Sequence, residues 1–511
     1  MSELDTSSNN KRIAKNTMFL YIRMLFIMAV QLYTSRVVLN TLGVVDYGLY
    51  NVVGGVVSML SFVNGAMSSA TQRYITFALG KGDFDNLNKV FSVSVSIHFL
   101  IAFMVLLFAE TVGLWFLYSQ MTIPEGRMDA AIWVYQASVI STMVSIVSVP
   151  YNAEIIAHEK MSAFAYISIL EVVLKLLIVY LLVITPLDKL KLYALLILAI
   201  QILIRYIYGH YCTSHFQESR FRYVSDKKLF KEMVSFAGWS LFGNLAGILS
   251  TQGVNIVLNI FFGPVINAAR GVAVQVQSAI TSFSGNFQMA INPQITKSYA
   301  QEDKERLFKL IKVSSKFSFF LILLLELPVF LEAPNILSVW LVNVPAHSIY
   351  FLRLILLIVL IDTTANSFII AAQATGRVRV YQSVVGSCIL LIVPLSYIVM
   401  KILPIPELVF VVHMSIAVVA QILRILFMRS YIGLGVREVI KSIYLPCLIV
   451  LGVSFAVPFA LQQRMTDDIK TAAVIVLVSL IWSAIIIYFV GFSKHEKEIL
   501  VSAIKKFKNG R

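Results

Sequence analysis

The sequence predicts an all-α polytopic membrane protein with about fourteen transmembrane helices: two parallel-repeat six-helix lobes plus two C-terminal helices. Composition, the length of the apolar runs and an internal repeat point there. Of 511 residues, 58% are hydrophobic and 14% charged, against about 25% charged in a soluble domain, and mean hydropathy is +0.82. A bilayer core of roughly 30 Å takes about 20 apolar residues per spanning helix. Backbone polar groups in lipid must be satisfied internally, so long apolar runs mean helices, whereas a barrel would show short alternating segments.

Charge clusters, glycines and prolines divide the chain into its elements. The start, "MSELDTSSNNKRIAKN", is polar and then basic. The apolar run behind it is interrupted by Arg23 and Arg36, unlike a cleavable signal peptide, so a retained first helix is expected over 14–40. Further helices are expected over 46–78, 89–118, 128–156, 161–185 and 191–213, giving an N-terminal lobe over 1–213 and a cytoplasmic linker over 214–228. A second lobe over 229–430 holds helices at 229–262, 264–297, 306–331, 347–376, 379–402 and 406–430. Two more, at 440–462 and 470–492, precede a basic tail over 493–511. Alternate loops on alternate sides place 29 Lys and Arg residues on one side and six on the other. That asymmetry puts both termini in the cytoplasm and accounts for the net charge of +15 without a nucleic-acid partner.

At an offset of 219 to 220 residues, Val38-Leu39-Asn40 matches Val257-Leu258-Asn259, Gly43 matches Gly263, and Gly65 matches Gly285. Ile75-Thr76 matches Ile295-Thr296, and Asp83 matches Asp303. Six helices, an even number, separate the copies, so both run the same way through the membrane, as in transporters that rock two lobes about a central site. Asn51, Ser58, Ser61, Gly65, Ser68 and Gln72 share one helical face, and their partners are Gly271, Ser278, Thr281, Gly285, Gln288 and Asn292. Polar stripes on long membrane helices need partners or water, so Ser61, Gln72, Gln288 and Asn292 are expected along a hydrated path between the lobes.

A charge at the bilayer centre costs about 2.5 to 3.5 kcal/mol on insertion scales. The candidates are Arg23, Arg36, Glu171, Lys175, Arg205, Arg270, Glu326, Arg353 and Asp362. Glu171 and Lys175, four apart, are expected to pair, and Arg36 and Arg205 lie near helix ends, where they can snorkel. Arg23 and Arg270, with Arg36 and Arg353 behind them, are the candidates to bind an anionic group such as phosphate or pyrophosphate, which guanidinium grips with two parallel bonds. Asp362 is either a site for H+ or Na+ coupling or a partner for a neighbouring arginine. No cofactor is expected. The sequence lacks a GxxxxGK[ST] nucleotide loop, the seven histidines show no HExxH spacing, and Cys212, Cys388 and Cys447 show no CxxC spacing. The outer loops are short, without the larger extramembrane segment a glycosyltransferase or polymerase would carry.

Five segments together resemble the polysaccharide-export branch, Wzx-type O-antigen flippases, of the multidrug/oligosaccharidyl-lipid/polysaccharide transporter superfamily. They are "LGVVDYGLYNVVGGVVSML" at 42–60, "ATQRYITFALGKGDFDNLNKVFS" at 70–92, "VPYNAEIIAHEKMSAFAYISILEVVLKL" at 149–176, "ILSVWLVNVPAHSIYFLRL" at 336–354 and "AAQATGRVRVYQSVVGS" at 371–387. The resemblance implies a non-enzymatic flippase, a monomer in the bacterial cytoplasmic (inner) membrane. It would move an oligosaccharide linked to undecaprenyl pyrophosphate to the outer leaflet by alternating access, with the polysaccharide polymerase machinery as a partner beside membrane lipid. Related flippases hold pyrophosphate with cavity arginines, and Arg23 and Arg270 stand on the corresponding helices. The alternatives are a cation-coupled multidrug exporter of the same superfamily and a membrane polysaccharide polymerase.

Overall fold

The computed structural model describes residues 3–59, 62–119, 121, 123, 125–224, 226–341, 344–465, 468–493 and 496–497, with some side chains in the first two helices and that of Pro264 left out. Arg36, Asn51 and Ser58 are among those side chains, and Ser61 and most of the basic tail also lie outside the described residues. Among the described residues the regular structure is all helical, with no strand. Its helices are α1 Glu3–Met59, α2 Phe62–Lys81, α3 Phe84–Ser119, α4 Met128–Ala157, α5 Met161–Ile184, α6 Lys189–His215 and α7 Lys227–Phe262. There follow α8 Pro264–Ala300, α9 Lys304–Leu331, the short α10 Ala333–Trp340, α11 Ser348–Ala374, α12 Val378–Ile402, α13 Leu408–Ile432, α14 Val436–Gln462 and α15 Ile469–Gly491.

Eleven of these, among the described residues, are long and apolar enough to cross a membrane. α1 runs through the first expected span and, past a bend at Gly43, into the second; α2 completes the second, and α8 corresponds to the eighth. The polar stripe and Arg270 make α8 less apolar than the eleven. Other boundaries also differ from expectation. The polar start is already helical from Glu3, and the outer loop expected near 332–346 contains α10.

Local chemistry sets the helix ends. Aspartates cap α3, α6, α9 and α15: the backbone N–H of Asn86 donates to Asp83 at 3.1 Å, Leu190 to Asp188 at 3.0 Å, Arg306 to Asp303 at 3.0 Å and Thr471 to Asp468 at 2.7 Å. Each occupies one of the donors that the first helical turn leaves free. The repeat is visible in the backbone. Gly43 interrupts α1 at φ 79°, ψ 166°, and Gly263 precedes α8 at φ 76°, ψ −173°. Asp83 and Asp303, 220 residues apart, share φ/ψ near −90°, 79° and −81°, 82°. Both follow a reversed turn at a positive-φ residue, Gly82 in one copy and Glu302 in the other.

The chain forms two compact units, Asn16–Leu241 and Phe242–Arg511 with Met1–Lys15, whose boundary falls inside α7. In the N-terminal unit α4 is the central helix, packed along α2, α3 and α6, over a core that includes Val53, Ala131, Val134 and Tyr135. In the C-terminal unit α8, α9, α11 and α13 enclose the larger core, and α14 and α15 pair with each other and lie along α9. Phe99, Phe103, Leu107, Ile481 and Phe489 are among many large apolar side chains left exposed, as expected of helices solvated by lipid.

Candidate functional site

In the N-terminal unit, α1 carries Arg23, whose guanidinium carbon lies 4.5 Å from the centre of the Phe164 ring on α5. Its Nε is buried without a hydrogen-bond partner. The neighbouring charges are paired: Lys175 donates to Glu171 at 2.6 Å, as their spacing predicts, and Arg205 stacks on Tyr151 at 3.8 Å. Ser68 and Gln72 on α2 are half-buried.

In the C-terminal unit, α8 carries Arg270, 7% exposed. Nη1 donates to Asn255 Oδ1 and Nη2 to the Thr251 carbonyl at 3.1 Å, both on α7. Nε is buried with no acceptor. Eighteen residues along the same helix, about 27 Å at 1.5 Å per residue, Gln288 meets a break in α11. That helix stops at Thr363 and resumes at Asn366. Gln288 Nε2 donates to the freed Thr363 carbonyl at 3.2 Å and to Ser318 Oγ at 3.1 Å. Asn292 Oδ1 accepts from Asn366 at 3.0 Å. Irregular backbone at membrane depth persists where neighbouring side chains satisfy it in this way. Asp362, the last residue but one before the break, is exposed and makes no hydrogen bond or ion pair among the described residues through its carboxylate. The structure thus gathers Gln288, Asn292 and Asp362 around one helix break and leaves Arg270 well apart from them. Arg353 stands elsewhere, donating to the carbonyls of Phe330 at 3.0 Å and Leu331 at 3.2 Å. It borders a cavity of about 430 Å³ that Glu332, Gln462 and Phe455 also line.

Three clusters are not foreseen from the sequence. Arg424, expected with the cytoplasmic loops, is 6% exposed within α13. It donates to Gln421 at 3.1 Å, and Gln421 in turn bonds Tyr444 at 2.6 Å and Thr364 at 3.1 Å. Its spacing of three from Gln421 is the signal that could have found it. Arg127 bridges Asp46 and Asp188, the latter at 2.7 Å. Burial favours the neutral Asp188 carboxyl, but backbone N–H donors and Arg127 outweigh it and hold its pKa below the ordinary value. At the end of α4, His158 Nε2 lies 3.2 Å from Glu154 Oε1 and 2.6 Å from Glu218 Oε1. Burial disfavours the imidazolium, yet the hydrogen bonds and charges of both carboxylates raise its pKa above the usual histidine value. Cys212, Cys388 and Cys447 are buried and unbridged.

Comparison with known proteins places this geometry. The chain matches the family described as polysaccharide biosynthesis protein over residues 13–299, more than half its length. No curated protein matches it. Among solved structures it is similar to an outward-facing multidrug resistance MATE family transporter of the MOP superfamily, with TM-score 0.71 and 13% identity over 83% of this chain and 97% of that one. A MOP superfamily transporter from Pyrococcus furiosus, described as having a binding pocket of reverse polarity, aligns with TM-score 0.65 and 14% identity over 82% and 96%. The MATE transporter ClbM in complex with Rb+ aligns with TM-score 0.68 and 14% identity over 84% and 98%. With the fold of MOP-superfamily transporters, the chain belongs to the polysaccharide biosynthesis protein family.

Proposed function

We propose that the protein is a flippase, not an enzyme, that carries an oligosaccharide on undecaprenyl pyrophosphate from the cytoplasmic to the outer leaflet of a bacterial cytoplasmic membrane by alternating access. One observation carries the reading. Arg270, buried on a membrane-length helix, is fixed by Asn255 and Thr251 yet keeps its Nε without an acceptor. A guanidinium held from one edge with a donor left over is suited to a phosphate oxygen. Arg23 repeats the pattern in the other unit, oriented by Phe164 and with Nε also unpartnered. Membership of a polysaccharide biosynthesis family supports a glycan as cargo. The sugar and pyrophosphate follow the polar helix faces while the polyprenyl tail stays in lipid. Drawing that tail through water would cost about 25 cal/mol per Å² of apolar surface. Asp362, exposed and unpaired, is the proposed site of H+ or Na+ coupling. Both termini are cytoplasmic in this reading, because the basic loops share their side.

The test is translocation of lipid-linked oligosaccharide in proteoliposomes by wild type, Arg23→Ala, Arg270→Ala and Arg270→Met. Removing the Arg270 guanidinium returns about 2.5 to 3.5 kcal/mol of insertion cost and forfeits two charge-assisted bonds worth about 1.5 to 3 kcal/mol each. The fold therefore loses no more than a few kcal/mol, and export is expected to fall while the protein stays folded. Unchanged translocation in all three arginine variants would sink the proposal. The exposed Asp362 also suits a second reading, cation-coupled drug export, in keeping with the multidrug resistance role by which one structural neighbour is known. Dye efflux that needs a cation and is lost in Asp362→Asn, without glycan transport, would favour it. Glycosyl transfer by the purified protein would favour a polymerase.

A further inference from the structure

The end of α4 holds a group of side chains that glycan transport does not use. Glu154 and His158 are four residues apart and so share a helical face. Glu218 comes from the single 3-10 turn Gln217–Ser219, on the segment joining α6 to α7. One ligating atom from each of the three lies within 4.8 Å of the others. The arrangement is stiff. The helix closes through Glu159, at φ 59°, with the backbone N–H of Lys160 donating to Ile155 at 3.0 Å and Asn16 donating to the Glu159 carbonyl at 3.1 Å. The imidazole is stacked on Phe216 at 4.1 Å, 12° from parallel. Asn88 on α3 holds the turn by donating to the carbonyls of Glu218 at 2.7 Å and Arg220 at 2.9 Å.

One oxygen of the cluster is left over. Glu154, whose side chain is 0% exposed, meets His158 through Oε1, while its Oε2 is buried with no hydrogen-bond partner. A buried carboxylate oxygen in that position is costly. A divalent cation in place of the imidazole proton makes the set neutral and gives the Glu154 carboxylate a bond. One imidazole nitrogen with two carboxylates is a donor set for a transition ion. Calcium and magnesium take all-oxygen shells, and a soft ion would want thiolate.

We propose that Glu154, His158 and Glu218 form a binding site for a divalent transition-metal ion of the zinc type, ligated through His158 Nε2 and one oxygen from each glutamate, with water completing the shell. Because Glu218 is carried on the segment between α6 and α7, the ion fastens that segment to the end of α4, beside the hydrogen bonds by which Asn88 ties it to α3. The site stands whatever cargo the protein transports.

The experiment uses the purified full-length protein in detergent, stripped with chelator and equilibrated with zinc chloride alone at neutral pH. Elemental analysis after dialysis is expected to find one zinc per chain, with a raised unfolding temperature. Losing an outer-shell partner already weakens metal binding by about 10- to 100-fold, so Glu218→Gln and His158→Asn are expected to weaken it about 100-fold and abolish the thermal shift. Retention of zinc by both variants, or none bound by wild type, would overturn the site and leave a histidine–carboxylate ion pair only. Should the variants unfold, X-ray absorption at the zinc edge of wild type decides. One imidazole nitrogen with oxygens at about 2.0–2.2 Å is expected, whereas sulfur or several imidazoles would place the metal elsewhere and refute the proposal.

Discussion

Replacing Gly263 with alanine isolates the turn that the sequence spells twice. At φ 76°, ψ −173° the residue occupies a region that only glycine enters readily, and Gly43 occupies the same region at φ 79°, ψ 166°. A Cβ at either position meets nothing within 4 Å, so the whole penalty is conformational, with no clash to confuse it. Residues held there cost about 1 to 3 kcal/mol, a large part of a typical folding free energy of about 5 to 15 kcal/mol. Gly271 is the control. It also faces open space but lies within α8 without a positive φ, so alanine there should gain about 0.5 to 1 kcal/mol from helix propensity. Unfolding in mixed micelles titrated with a denaturing detergent measures all three. Gly43→Ala and Gly263→Ala should each unfold earlier than wild type and Gly271→Ala slightly later. If Gly263→Ala proves as stable as Gly271→Ala, the turn does not require glycine and the structural basis of the repeat falls.

Two other outcomes follow from single contacts. Tyr135 donates its hydroxyl to the Ala109 carbonyl at 2.7 Å, where α3 widens into a π-turn over Ala109–Gly113. Tyr135→Phe should therefore cost about 1 to 3 kcal/mol for the orphaned carbonyl. Gly113→Ala should be worse, since its Cβ would stand 2.0 Å from that hydroxyl oxygen, and adding Tyr135→Phe should relieve part of it; thermal unfolding of the single and double variants checks this. Asp188 has a folded pKa depressed below the ordinary aspartate value of 3.8, so its contribution is complete above that value and is lost as pH falls through the lower folded one. Asp188→Asn should be less stable than wild type at neutral pH, with the difference closing below about pH 4; unfolding temperatures that converge on the alkaline side instead would contradict the assignment.

The parts of the fold that depend on neighbours in sequence were legible there. Gly43 and Gly263 announce a backbone that other residues resist, and Asp83 and Asp303 announce helix starts, because turn and cap chemistry acts within four residues. Glu171 and Lys175 pair for the same reason. What depends on distant segments was not legible. Nothing near Gln288 or Asn292 shows that α11 will break opposite them, so their bonds to Thr363 and Asn366 were not to be read from the sequence. Arg424, near the cytoplasmic end of the expected helix 406–430, reads as one of the basic residues of that side, yet it is buried and linked through Gln421 to Tyr444 and Thr364. Glu218 is 60 residues from His158, too far for any spacing rule to link them.

These differences bear on where along α8 a charged cargo is held. Lipid penalises every unsatisfied polar group, and α8 answers that penalty differently at its two halves. Toward its end Gln288 donates to α9 and α11 and Asn292 accepts from α11, so the Gln288 donor and the Asn292 carbonyl already serve the architecture. Thr281 in the middle folds its hydroxyl back on the Gln277 carbonyl at 3.0 Å, and Ser278 beside it is exposed. Near its start Arg270 keeps a donor without an acceptor. A ligand gains most where the protein has left a donor unused, since there it displaces no existing bond. The polar stripe is thus not a uniform track: under the proposed function an anionic headgroup would be drawn to the Arg270 end, while the Gln288 end holds the broken helix that carries Asp362.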